Sequence, residues 1–289
     1  MNIQWFPGHM KKTERQIAED IKLVDIVYEL LDARIPLSSK NPDIDKLAKN
    51  KPKIMLLNKS DLADASITDS WIRFYKNSNV EVLPICSSTG EGINKLKQLT
   101  QSMLVEKIQR QREKGIVGKG VKALVVGIPN VGKSSFINKI CGKNSTKTGD
   151  RPGVTRGKQW ITVNSDLQLL DTPGILWPKF EDENIAYNLA FTGAIKDDII
   201  DVEELGVKLC GFLTANYPDS LMTRYKLDTL SDDNYQLLQD IGRKRCCVIS
   251  GGEIDTRKAA ILLLDEFRGG KLGNITLEVP TRKQENLDV

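Results

Sequence analysis

The sequence predicts an α/β fold: a phosphate-binding-loop domain on a six-stranded, mostly parallel sheet over residues 1–179, then an all-α domain over 180–289. Three observations predict it. Gly127-Ile128-Pro129-Asn130-Val131-Gly132-Lys133-Ser134 matches GxxxxGK[ST] in full, between a strand-like run, Val121 to Val126, and a helix-like run, Ser135 to Ile140, which is the context that motif requires. Apolar β-branched runs alternate with amphipathic stretches through the first part of the chain, the mark of strand–helix repeats and a parallel sheet. Past residue 180 the pattern turns to helical periodicity.

The 289 residues allow one large domain or two ordinary ones, and 40% hydrophobic with 28% charged residues is the composition of a globular chain. No run approaches the roughly 18 apolar residues of a membrane helix, and the first residues lack the basic-then-apolar pattern of a secretory signal. The expectation is a cytoplasmic protein with no membrane partner. Its cysteines, Cys86, Cys141, Cys210, Cys246 and Cys247, have no CxxC or CxxH spacing and read as reduced thiols. The net charge of +4 combines +11 over residues 1–179 with −7 over 180–289. The basic part is compatible with a nucleic-acid partner, and equally with an ordinary solvated surface.

In chain order, Trp5 and Phe6 suggest a tail held by packing, Pro7-Gly8 reads as a turn, and His9 is the single histidine. Thr13 to Val24 reads as an amphipathic helix with Ile17, Ile21 and Val24 on one side. Asp25 to Asp32 is a buried strand that ends in Asp32-Ala33-Arg34-Ile35-Pro36. The strand Lys53 to Leu57 leads into Asn58-Lys59-Ser60-Asp61, and the strand Val80 to Ile85 into Cys86-Ser87-Ser88-Thr89-Gly90. Glu91 to Gln111 reads as a helix, and residues 112–120, with Gly115, Gly118 and Gly120 among Arg112, Lys114 and Lys119, as a flexible basic connector. Gly142 to Trp160 reads as a mobile loop around Arg151-Pro152-Gly153-Val154-Thr155. Gln159 to Val163 and Leu167 to Leu170 form a hairpin about Asn164-Ser165-Asp166, and the second strand ends in Asp171-Thr172-Pro173-Gly174. Helices are expected over Asn184 to Ile195, Val202 to Ala215, Asn234 to Ile241 and Thr256 to Phe267, with N-caps at Asp201 and Asp255 and Gly269 after the last.

Each loop at a strand end carries chemistry suited to one part of a nucleotide. Backbone N–H groups of Asn130, Val131, Gly132 and the helix start at Lys133, Ser134 and Ser135 are expected to cradle phosphates. Lys133 is expected to reach the β- and γ-phosphates, Ser134 and Asp171 to hold magnesium, Thr155 to meet magnesium and the γ-phosphate, and the Gly174 amide to meet the γ-phosphate. Asn58-Lys59-Ser60-Asp61 looks like the guanine-recognition motif of GTPases. Guanine presents an N1–H beside an exocyclic amine, and one carboxylate, Asp61, can accept from both. Adenine has no N1–H to offer. Asn58 is expected at the other edge of the base and the Lys59 stem over its face. Ser87 and Ser88 lie in a loop that resembles the one supplying backbone N–H groups to the guanine carbonyl, and Asn130 resembles an asparagine with which some GTPases hold potassium.

The order of these motifs is rotated. The base motifs at 58–61 and 86–90 precede the phosphate loop at 127–134, and DTPG comes last. The chain thus looks like a circularly permuted GTPase, a rearrangement tolerated when the original termini lie close together on the surface. WFPGHM at 5–10, DARIP, NKSD, GIPNVGKSS, RPGVT and DTPGILWPKFED together resemble the ribosome-biogenesis GTPase A family over most of residues 1–200.

That resemblance implies hydrolysis of GTP to GDP and phosphate, coupled to late assembly of the large ribosomal subunit, with a helical C-terminal domain that contacts ribosomal RNA. Arg243-Lys244-Arg245, Arg257-Lys258, Arg268 and Lys271 are the basic residues available for such a contact. On the residues alone, a guanine-nucleotide switch acting on a protein partner without RNA contact stays open. Many GTPases carry a water-orienting glutamine after the DxxG glycine; here that position is Ile175, as in GTPases with a hydrophobic residue there. The polar group must then come from His9, the Thr155 backbone, a cation-bound water or a ribosomal group.

The Asp61 assignment has a direct check. Sites that hydrogen-bond a substrate group reject analogues lacking it by roughly 10⁴-fold or more. Asp61→Asn exchanges acceptor for donor, and nucleotide titration should show preference moving from GTP to the xanthine nucleotide.

Overall fold

The computed structural model describes residues 7–78, 80–114, 120–142, 159–174, 176 and 182–280. Thr155, the surrounding 151–158 segment, most of the basic connector, Ile175 and the aromatic pair Trp5-Phe6 lie outside them.

Helix α1 (Pro7–Lys22) comes first, then β1 (Ile26–Asp32), α2 (Pro42–Leu47), β2 (Lys53–Asn58), α3 (Ala65–Asn77), β3 (Glu81–Pro84), α4 (Ile93–Met103) and α5 (Val105–Glu113). Strand β4 (Val121–Gly127), α6 (Lys133–Cys141), β5 (Gln159–Asn164) and β6 (Leu167–Asp171) complete the sheet domain. The strands form one six-stranded sheet in the order β3-β2-β1-β4-β6-β5. All pairs are parallel except β5–β6, the expected hairpin, whose register shifts between Thr162 and Asn164.

Pro7-Gly8 is the start of α1 and not a turn before a later helix. A proline in the first helical position has φ already set and lacks only an N–H that would find no intrahelical partner. The helix expected over 91–111 is two helices, interrupted at Leu104, which is buried and whose backbone, at φ −112 and ψ 14, leaves the helical conformation.

β1 is buried along its whole length, as a central parallel strand must be when helices cover both faces. Ile17, Ile21 and Val24 share one hydrophobic cluster with Val27, Leu124, Val126 and Leu170, so the face read from the periodicity is the one that meets the sheet. A second cluster joins Trp71, Phe74 and Tyr75 of α3 to Leu31, Met55, Leu57 and Val82.

The helical unit contains α7 (Glu183–Phe191), α8 (Val202–Asn216), α9 (Pro218–Tyr225), α10 (Asn234–Lys244) and α11 (Thr256–Arg268). Asp201 caps α8 by accepting from the Glu203 and Glu204 amides, and Asp255 caps α11 through the Lys258 amide. Helix α9 adds to the periodic stretches, with Pro218 in its first turn. α8 packs against α7, α9, α10 and α11. This unit ends at Ile275, and the described residues 276–280 group with the sheet domain, whereas the helical domain was expected over 180–289. The reason is hydrogen bonding by Thr276, Leu277 and Glu278 to loops of the sheet domain.

Two basic residues expected on an RNA face are used inside this unit. Arg268 pairs with both oxygens of Asp197 at 2.7 Å and donates to the Ala190 and Phe191 carbonyls. Arg245 lies 3.5 Å from Glu266 and donates to the Arg224 carbonyl. Lys244, Arg257, Lys258 and Lys271 are exposed. Arg268→Ala should therefore lower unfolding free energy by about 1–3 kcal/mol, since it strips partners from several groups at once. Lys271→Ala should stay within about 0.5 kcal/mol of wild type. Urea denaturation checks both.

Candidate functional site

In a parallel sheet every strand presents its carboxyl end to the same edge, and ligands bind beside those ends where the strand succession reverses direction. Here β1 lies between β2 and β4, and the register sets Asp32 beside Asn58 and Leu30 beside Gly127. The sequence-expected groups collect on that edge: Asn58 ends β2, the Ser87–Ser88 loop follows β3, the phosphate loop follows β4 and Asp171 ends β6. Asp61, in the short 3₁₀ turn Ser60–Leu62, is exposed there.

The base-recognition loop and the phosphate loop are tied by side chains. Asn58 is almost fully buried; its Nδ2 donates to the Val131 carbonyl at 2.7 Å, and its Oδ1 accepts from the Ser87 amide at 3.1 Å and the Ser87 hydroxyl at 2.7 Å. Asn58, expected at the base, thus joins three loops, and the Ser87 N–H, expected at the guanine carbonyl, points to Asn58. Ser88 offers its carbonyl to Lys139 Nζ at 3.1 Å and its hydroxyl to Cys86 Sγ.

Lys59 Nζ donates to the Asn130 carbonyl at 2.8 Å and lies 3.0 Å from Asp32 Oδ2. Lys59 and Asn130 both adopt left-handed backbone, φ 60 and φ 57, which costs an L-residue energy that these bonds offset. Gly132, at φ 96, is the N-cap of α6, and a Cβ there would run into Asn58 Nδ2. Ser134 and Ser135 occupy the first turn of α6, where the helix N-terminus and its dipole favour an anion.

Lys133 is buried, donates to the Thr172 carbonyl at 2.6 Å and lies 3.7 Å from Asp171 Oδ1. Burial pushes its ammonium below the ordinary lysine value, and the Asp171 carboxylate opposes that. A bound phosphate would oppose it further. Thr172 Oγ1 donates to Val125 O at 2.9 Å, which pins DTPG to the strand feeding the phosphate loop. A Cβ on Gly174 would lie 2.9 Å from Pro129 N and Cα, so only glycine lets the two loops approach this closely. His9 lies in the first turn of α1.

Sequence reasoning gave no role to Asp32 or Arg34, though both stand in the DARIP stretch. Arg34 Nε and Nη2 bind Asp32 Oδ1 and Oδ2 at 2.9 and 2.8 Å, and both side chains are fully buried. Burial by itself raises the Asp32 pKa, but the Arg34 guanidinium and Lys59 ammonium outweigh it and hold the carboxyl well below the usual range. The Asp32–Lys59 pair joins residues far apart in sequence, and no local pattern announces it.

A family model described as 50S ribosome-binding GTPase matches residues 122–209. Ribosome biogenesis GTPase A of Priestia megaterium is 49% identical over 99% of this chain and 100% of its own. The protein of that name from Thermotoga maritima is 30% identical over 96% and 95% of the two chains. The chain belongs to the ribosome biogenesis GTPase A family. As a member it is a GTP hydrolase of ribosome biogenesis. Its fold matches a GNP-bound YlqF structure from T. maritima with a TM-score of 0.63 at 28% identity, covering 93% of this chain and 98% of that one. A GDP-bound structure of TM YlqF aligns with the same TM-score at 29% identity, covering 92% and 99%. Among the described residues, no helix is long and apolar enough to cross a membrane.

The Asp32 network gives this family member a defined acid response. A lowered folded-state pKa means that the carboxylate's stabilisation is complete above its unfolded value of roughly 4 and is lost as pH falls toward the folded value. Asp32→Asn should be less stable at neutral pH and lose less stability between about pH 5 and pH 2, as followed by chemical denaturation at fixed ionic strength.

Proposed function

We propose that this GTPase hydrolyses GTP to GDP and phosphate in step with late assembly of the large ribosomal subunit, engaging a subunit precursor and its ribosomal RNA in the cytoplasm. The observation that carries the reading is the joining of the base loop to the phosphate loop through Asn58 and Lys59, next to the buried Lys133. One rigid edge thereby serves both ends of a guanine nucleotide. Asp61 selects the base, the amides from Asn130 to Ser135 and the Lys133 ammonium hold the phosphates, and Gly174 meets the γ-phosphate. The domain reads as circularly permuted: the family-model match begins at residue 122 and leaves the base motif at 58–61 ahead of it.

Magnesium fits the residues at hand. Ser134 lies in the first turn of α6, and the buried Asp171 carboxylate lies beside Lys133 at the end of β6; both offer the hard oxygen donors that this ion takes. Thr155 would complete the set. When bound, the ion neutralises charge on the β- and γ-phosphate oxygens. Asn130 would supply an oxygen for potassium at the loop, where positive charge would assist as charge develops on the phosphates.

In sequence, DTPG is followed within a few residues by α7, which opens the helical unit, so a change at Gly174 on loss of the γ-phosphate has a short covalent route to that unit. The exposed Lys244, Arg257, Lys258 and Lys271 are the candidates there for phosphate contacts, which weaken with salt because the release of condensed counterions gains less as the salt concentration rises. His9 is the candidate to accept a proton from the attacking water, because a neutral imidazole has the right basicity near pH 7.

One set of rates tests the reading: GTP turnover with and without large-subunit precursor particles, in potassium and in sodium at matched ionic strength, for wild type and His9→Ala. Particles and potassium should each stimulate the wild type. His9→Ala should keep GTP affinity and lose about 10²- to 10⁴-fold of particle-stimulated turnover. Absence of particle stimulation overturns the coupling, equal rates in the two salts remove the cation at Asn130, and full stimulated turnover in His9→Ala removes the histidine.

A further inference from the structure

The chain re-enters the sheet domain at Thr276, and Thr276, Leu277 and Glu278 bond to two successive loops. Thr276 Oγ1 accepts from the Asp64 amide at 2.9 Å, at the start of α3 and just past Asp61. Leu277 N donates to the Arg34 carbonyl at 2.8 Å. The Glu278 carboxylate accepts from the Leu37 amide at 2.7 Å, the Ser38 amide at 3.0 Å and the Ser38 hydroxyl, while the Glu278 carbonyl accepts from Trp71 Nε1 at 2.9 Å. Thr276, Ser38 and Trp71 are buried, which partly shields the bonds they make from competing water. A carboxylate held by two adjacent backbone N–H groups and a hydroxyl is a charge-assisted, directional anchor.

The loops so held carry the base-recognition residues. One runs from Asp32 to Ser39: the Asp32 amide donates to Ser39 Oγ at 3.0 Å, which in turn donates to the Ile35 carbonyl at 2.6 Å. Its Asp32 carboxylate, clamped by Arg34, reaches Lys59 Nζ at 3.0 Å. The other runs from Asn58 to Asp64 and carries Lys59 and Asp61.

We propose that Thr276–Glu278 is a strap that positions guanine recognition, fixing the Asp32–Ser39 and Asn58–Asp64 loops so that Asp32 holds Lys59 and Asp61 faces the base. This rests on the reading of Asn58–Asp61 as the base-recognition motif. Asp32, Arg34 and Glu278 are positioning residues in it: they act through Lys59 and Asp61. The strap is also the chain's exit from the helical unit, so the residues that follow the last helix shape nucleotide affinity.

The test uses the full chain. Glu278→Ala is measured for GTP turnover and GDP affinity beside its thermal unfolding, with Glu278→Gln as the conservative variant that keeps an acceptor for the loop amides. A positioning role raises KM for GTP and Kd for GDP together, by about tenfold, as expected for loss of a charge-assisted bond. It leaves kcat within about twofold of wild type, because the base contacts are made equally in ground and transition states, and Glu278→Gln recovers most of the affinity. A folded Glu278→Ala with wild-type KM and Kd overturns the strap, as does a fall in kcat at unchanged KM. Should Glu278→Ala not fold, Thr276→Val, which removes only the hydroxyl that meets Asp64 N–H, carries the same measurement: raised KM and Kd support the strap and wild-type values overturn it. Asp61→Asn, run in parallel, separates the two readings. If it still prefers GTP, the base assignment fails and the strap inference with it; if it turns to xanthine nucleotide while Glu278→Ala binds as wild type, only the strap fails.

Discussion

The structure of the site depends on a pair of side-chain-to-backbone bonds across the carboxyl edge of the sheet. Asn58 and Lys59, at the end of one strand, hold the carbonyls of Val131 and Asn130 in the loop after another. A phosphate-binding loop needs its N–H groups turned inward to meet an anion, which turns carbonyls outward, where an unmet carbonyl is costly. Here the outward carbonyls of two successive loop residues are met by the base-recognition motif. The left-handed backbone at Lys59, Asn130 and Gly132 is sustained by the same bonds. A shift in either loop therefore strains the other, and base recognition and phosphate binding form one mechanical unit.

That unit is possible because of sheet order. Parallel strands carry their loops to a common edge, and placing β1 between β2 and β4 leaves only the width of one strand between Asn58 and the phosphate loop. The strand between ends in Asp32, whose buried carboxylate supplies negative charge beneath the Lys59 ammonium. Arg34 keeps that carboxylate ionised in a dry site, since a buried charge with one partner removed is strongly destabilising. Connection order matters little to this arrangement: the same edge assembles whichever loop the chain visits first.

The helical unit illustrates how composition misleads about surface charge. Its net charge is negative, yet Lys244, Arg257, Lys258 and Lys271 stand exposed, while Arg268 and Arg245 are engaged with carboxylates and carbonyls of neighbouring helices. An arginine near a helix C-terminus can serve RNA or cap a neighbour, and the planar five-donor group suits both. Here the proximity of Asp197 and the end of α7 decides for the second.

The sequence by itself determined the strands and helices whose patterning is local: the apolar runs feeding each motif, the hairpin at 164–166, the caps at Asp201 and Asp255, and the α1 face of Ile17, Ile21 and Val24. Motif spacing alone placed the phosphate loop, NKSD and DTPG at strand ends, because glycines, turn residues and β-branched runs encode their conformation within a few positions. Only the tertiary structure decided what joins residues distant along the chain. It turned Asn58 toward Val131 and Ser87, set Asp32 under Lys59, drew Arg268 inside the helical unit and brought Thr276 to Glu278 back onto the sheet domain. Each of those contacts is a hydrogen bond or ion pair whose partner is chosen by the packing of whole strands and helices. A residue type states what can be donated or accepted; the fold states to whom.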